Sequence, residues 1–157
     1  MQKKRLGFTL IDLLLFLSIL AILASMALPS LFEYYRTYKF NYLVSEIESV
    51  IRQARFKAQV GGTGVSICIK NNTLQIFTLK NNPFSACSGS LIKEIKVDDP
   101  SFVLEANHEG TVFDPKGIAL YPVSITFKST KKPSQCVIFN VASLSGYVEK
   151  KQCVKET

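Results

Sequence analysis

From Phe8 to Leu28 the chain reads FTLIDLLLFLSILAILASMAL, 21 residues whose only formal charge is Asp12. A helix rises about 1.5 Å per residue, so this run spans about 30 Å, the thickness of a bilayer's hydrocarbon core. Lys3, Lys4 and Arg5 flank it on the N-terminal side. The positive-inside tendency then places Met1 in the cytoplasm and everything after Leu28 across the membrane. An ordinary secretory signal has an apolar region of about 7–15 residues before a small-residue cleavage site. Ser25-Met26-Ala27 offers such a site, but the apolar run is too long for that reading.

The junction Gly7-Phe8-Thr9-Leu10-Ile11-Asp12-Leu13-Leu14 resembles the leader region of type IV prepilins. The resemblance implies that a prepilin peptidase cuts between Gly7 and Phe8 and that the new Phe8 amine is methylated. The family usually has Glu where this chain has Asp12, and Pro29 stands where many pilins carry a proline. A charge at the centre of a membrane helix costs on the order of 2.5–3.5 kcal/mol, so Asp12 needs a reason. The resemblance implies that it meets the N-terminal amine of a neighbouring subunit and sets register in a filament. Two plainer readings are an anion favoured by the helix macrodipole and a pair with its own amine.

The 129 residues from Pro29 onward suffice for one domain with its own core, and not for two. Once the leader's three basic residues are removed, sixteen Lys and Arg face twelve Asp and Glu. That balance permits contact with nucleic acid or anionic lipid without demanding it. Residues 1–7 are thus read as a leader, 8–28 as the membrane helix and filament-core segment, 29–60 as an amphipathic helix, and 61–157 as a β domain. In the helix, Phe40, Leu43, Ile47, Val50 or Ile51, Ala54 and Ala58 recur at three- and four-residue steps. Gly61-Gly62 stops it. Tyr34, Tyr35, Tyr38 and Tyr42 read as an interfacial aromatic belt with some core contacts.

After Gly62 the period changes to two. Val65, Ile67 and Ile69 alternate with Ser66, Cys68 and Lys70, and Asn71-Asn72 turns the chain into a second strand, Thr73–Leu79. Further strands are expected at Leu91–Val97, Phe102–Glu105, Thr111–Phe113, Val123–Lys128, Cys136–Val141 and from Gly146 to Lys150. The expected fold class is α+β, a long N-terminal helix packed on an antiparallel β domain.

Ala54-Arg55 and Ala58, then Val65-Ser66-Ile67-Cys68, resemble the matching stretch of the GspH/FimT family of minor pilins and pseudopilins. Thr111–Gly117, Ile125-Thr126-Phe127 and Cys136-Val137-Ile138 fit the same pattern. Tyr147 departs from it, standing where many members have Arg after Gly. The resemblance implies a pilin-like fold and a structural subunit stored in the inner membrane, with its C-terminal domain in the periplasm. It also implies entry into a pilus or pseudopilus. The implied partners are other pilin or pseudopilin subunits, the prepilin peptidase and the inner-membrane assembly platform.

Cys68, Cys87, Cys136 and Cys153 lie on the oxidising side of the membrane, where even-numbered cysteines form disulfides. Three pairings exist. The preferred one joins Cys68 to Cys87 across the hairpin and its loop, and Cys136 to Cys153 across the C-terminal strands. Buried free thiols remain an alternative, while a zinc site lacks any CxxC spacing. No GxSxG, HExxH or phosphate-binding loop occurs. His108, the only histidine, stands in a polar turn, so neither catalysis nor a cofactor is expected. DNA is the rival partner, because some family members act in natural transformation. Lys128, Lys131, Lys132, Lys150, Lys151 and Lys155 would then gather on one side, and binding would weaken steeply with salt. The plainer reading is a solvated face that keeps the subunit soluble.

Overall fold

The computed structural model describes residues 10–79 and 86–153. Helix α1 runs over Leu10–Gly61 and includes Pro29. Eight strands follow: β1 Val65–Lys70, β2 Thr73–Thr78, β3 Ser90–Lys96, β4 Phe102–Ala106, β5 Gly110–Phe113, β6 Val123–Ser129, β7 Cys136–Val141 and β8 Val148–Gln152. The chain divides into a helical unit ending at Lys39 and a compact unit beginning at Phe40. In the helical unit the large apolar side chains from Leu10 to Phe32 are exposed. Helix α1 contains an 18-residue stretch of mean hydropathy 2.5 and is long and apolar enough to cross a membrane.

In the compact unit α1 turns Phe40, Leu43, Val44, Ile47, Val50, Ile51, Ala54 and Ala58 into the core. These are the three- and four-residue steps that give a helix one apolar face. Burial starts at Phe40 rather than at residue 29, because Leu31, Phe32, Tyr34 and Tyr35 are all exposed. The helix stops where Gly62 takes a φ of 60°, a conformation that costs glycine nothing.

The strands form two four-stranded sheets, ordered β3-β2-β1-β5 and β4-β6-β7-β8. Every strand pair is antiparallel. Both sheets and the helix contribute to a single apolar core. Alternation sets the facing: Val123, Ile125 and Phe127 of β6 are buried between the half-buried Ser124, Thr126 and Lys128. Three rings tie the layers together. Phe127 stacks on Phe40 of α1 with centroids 5.1 Å apart, and Phe102 of β4 lies 5.7 Å from Phe127 and 6.0 Å from Phe40.

The β1–β2 hairpin turns on Asn71 and Asn72, whose φ values of 50° and 61° suit a two-residue turn of the primed type. Asn72 also joins the sheets. Its Nδ2 donates to the carbonyls of Val97 (2.7 Å) and Phe102 (3.3 Å), and its Oδ1 accepts from the Leu104 amide (2.6 Å). One turn residue therefore satisfies backbone groups at the end of β3 and in β4, where neither sheet's ladder reaches them.

Disulfides join Cys68 to Cys87 and Cys136 to Cys153, at sequence separations of 19 and 17. The first ties β1 to the loop before β3, and the second ties the start of β7 to the end of β8. Loops of this length imply about 3 kcal/mol of stabilisation each in the chain-entropy model. Replacing Cys136 and Cys153 together by serine is expected to lower the unfolding free energy by about that amount. Urea unfolding of the full chain in detergent checks this. A midpoint equal to that of the parent chain excludes it.

Candidate functional site

The helical unit carries the first group of candidate residues. Gly7 and Phe8 lie outside the described residues. Asp12 sits in the first turn of α1, where an anion meets the positive end of the helix dipole. Further along, the hydroxyls of Ser18, Ser25 and Ser30 donate to the carbonyls of Leu15, Ile22 and Ala27 at 2.7, 2.7 and 2.8 Å. Each polar side chain is thus satisfied by its own helix. The outer surface of this stretch is apolar and offers nothing to water, as a lipid or a bundle of like helices requires.

The lysines form the second group, and the strands divide them. Lys128 on β6 pairs with Cys136, and Lys151 on β8 pairs with Ile138, both on the outer face of the second sheet. Lys150 pairs with the buried Phe139 and so points to the inner side. Its Nζ reaches Glu48 of α1 at 3.4 Å, and Glu48 also receives Arg52 at 3.0 Å. The outer lysines meet carboxylates as well, Lys128 with Glu105 at 2.8 Å and Lys151 with Glu149 at 2.9 Å. Lys131 and Lys132 are exposed in the β6–β7 connection, and Lys155 lies outside the described residues. Of the lysines on these strands, Lys128 and Lys151 share the outer face and Lys150 alone turns to the inner side. Adjacent residues of a strand face opposite ways, and three of them sit beside carboxylates that offset their charge.

The other titratable groups singled out stand apart on the surface. His108 is exposed in the β4–β5 turn. Lys96 hydrogen-bonds to Asp98 at 2.9 Å, and that bond, then the carboxylate's charge, raises the ammonium pKa above its ordinary value on an open surface. Among the described residues no cluster of His, Cys, Asp and Glu is arranged to hold a metal.

Hydrophobic periodicity carried no sign of how the loops are fixed. Arg55 Nε donates to the Gly117 carbonyl (3.2 Å) and Gln59 Nε2 to that of Lys116 (3.1 Å), so the last turns of α1 hold the loop after β5. Within that loop Asp114 Oδ1 accepts from the amides of Lys116 and Ile118 at 2.9 and 2.7 Å. Aspartate before Pro-x-Gly is the signal that announces such a turn.

The compact unit, one helix packed on two antiparallel sheets, has known counterparts. The crystal structure of the type IV minor pilin FimU from Pseudomonas aeruginosa (strain PAO1) matches it with a TM-score of 0.61 at 12% identity, over 75% of this chain and 92% of that one. A second crystal structure of FimU matches with a TM-score of 0.52 at 15% identity, over 68% and 88% of the two chains. These likenesses establish a pilin-like fold. The curated proteins contain no match to the chain. The family model of type II transport protein GspH matches residues 43–143, from the core-facing part of α1 into the β7–β8 loop. The chain, most of whose compact unit lies in that match, belongs to the GspH family.

Proposed function

We propose that this chain is a minor subunit of a helical pilus or pseudopilus, a structural part with no catalytic role. The observation that carries the reading is α1 itself. It is exposed and apolar from Leu10, and from Phe40 it supplies the core of a GspH-family domain. An apolar helix of that length needs lipid or other helices around it, and a filament of like subunits supplies the helices. Leaving the membrane for such a bundle exchanges one apolar surrounding for another, so little apolar surface meets water.

On this reading the precursor waits in the inner membrane with its β domain in the periplasm. The prepilin peptidase removes residues 1–7, the Phe8 amine is methylated, and an assembly platform moves the subunit into the filament. Repeated head-to-tail contacts then build an open helix. The pairing of Lys128, Lys150 and Lys151 with carboxylates gives DNA binding no support from the structure.

Mass spectrometry of the mature chain tests the reading. The expected N-terminus is methylated Phe8, with the chain recovered in filaments sheared from cells. A mature chain that begins elsewhere, at Leu28 after a signal-type cut for instance, sinks it.

A further inference from the structure

Where α1 leaves its apolar run it carries Tyr34, Tyr35 and Tyr38, with Arg36 among them. All four residues are exposed, the tyrosines at 72%, 60% and 61%, and none takes part in the core. Arg36 makes no hydrogen bond or ion pair among the described residues. A tyrosine is an apolar ring with a polar tip, at home neither in water nor in the bilayer interior.

Position along the helix says what lies against them. α1 is continuous from Leu10 through Pro29 to these residues. From Leu10 the helix rises about 36 Å to Tyr34 and about 42 Å to Tyr38. A bilayer is about 30 Å thick across its hydrocarbon and about 40–45 Å with its headgroups. With Leu10 at one edge of the hydrocarbon and a tilt of about 20°, residues 34–38 fall about 34–40 Å away, at the far headgroup layer. Helical side chains also lean toward the N-terminus, so the rings and the Arg36 stem reach back to the lipid.

We propose that residues 34–38 form a collar that binds phospholipid headgroups of the far leaflet, with Arg36 taking the lipid phosphate and the tyrosine hydroxyls the oxygens around it. The inference rests on the membrane-stored precursor described above. A guanidinium presents a fork of donors that fits phosphate oxygens, and tyrosine rings seat at headgroup level. The collar fixes the depth of α1. Sinking further strips the guanidinium of its phosphate, and rising lifts the apolar residues before it into water. The depth of Leu10 at the opposite surface is set with it.

The chain has no tryptophan, so one placed in the collar reports its own depth. The test puts full-length Tyr35→Trp into vesicles of phosphatidylethanolamine and phosphatidylglycerol. The lipids carry a spin label either on the headgroup or deep in the acyl chain. The headgroup label is expected to quench residue 35 at least about twofold more strongly than the deep label. Leu20→Trp, about 15 Å along the helix from Leu10, is expected to show the reverse order. Adding Arg36→Glu to Tyr35→Trp sets a carboxylate against lipid phosphate, and is expected to raise quenching by aqueous iodide about twofold. Quenching of residue 35 as strong or stronger from the deep label, or by iodide alone, overturns the collar. Unchanged iodide quenching with Arg36→Glu overturns Arg36 as the phosphate ligand. A Leu20→Trp chain quenched by neither label overturns the membrane reading itself, and the collar with it.

Discussion

Asp12→Ala is expected to leave the chain in the membrane and remove it from sheared filaments. The substitution removes a carboxylate from an apolar helix, a group that lipid does not favour, so it does not weaken the anchor. Any loss must therefore arise on assembly. If Asp12 meets the Phe8 amine of a neighbour in the filament core, alanine leaves that ammonium unpaired among apolar side chains. Breaking a buried ion pair on one side costs about 3–5 kcal/mol, more than a hundredfold in a docking equilibrium. Asp12→Glu keeps the charge and is expected to keep most of the incorporation. Asp12→Asn keeps the shape without the charge and is expected to behave as alanine does. Immunoblots of membrane and sheared fractions read all three. Alanine-substituted chain present in filaments at the parent level would reduce Asp12 to an anion at a helix start.

Phe127→Ala is expected to be the most damaging single change in the compact unit. Phe127 is fully buried and meets rings from α1 and from β4. Removing a buried Phe costs about 3–5 kcal/mol, through lost transfer energy and the cavity left behind. The stacking with Phe40 adds to the loss, since aromatic pairs contribute beyond their area. In a domain of this size the unfolding temperature should fall by roughly 10–20 °C. Phe127→Leu fills more of the space and should cost far less. Thermal unfolding of both variants in detergent decides the matter. A loss below about 1 kcal/mol for alanine would mean the three rings do not hold the helix to the second sheet.

Much of this architecture is written in local pattern. The steps from Phe40 to Ala58 name the core face of α1, and the alternation in Val65–Ile69 and Val123–Phe127 names two inner strand faces. Asn71-Asn72 announces its turn. Pairing over distance is not local, and there the sequence says less. A period of two identifies strands but not their partners, so the division into two sheets of four is visible only in the structure. The last strand begins at Val148 rather than Gly146, because Gly146 is spent on the left-handed contact with Gly117. The lysines show the same limit. Lys150 and Lys151 are neighbours in sequence, and the pleat sends one toward Glu48 and the other to the outer face. The role of Asn72 depends on groups some thirty residues away, which no window around the hairpin contains.

The two sheets interlock along the chain. β4, the first strand of the second sheet, is made before β5, the last strand of the first. No cut in the sequence separates one complete sheet from the other, and a break between Phe102 and Phe113 removes an edge from both. The compact unit therefore cannot come apart into two half-domains that each keep their order. Its residues are expected to gain and lose structure together, in one cooperative transition.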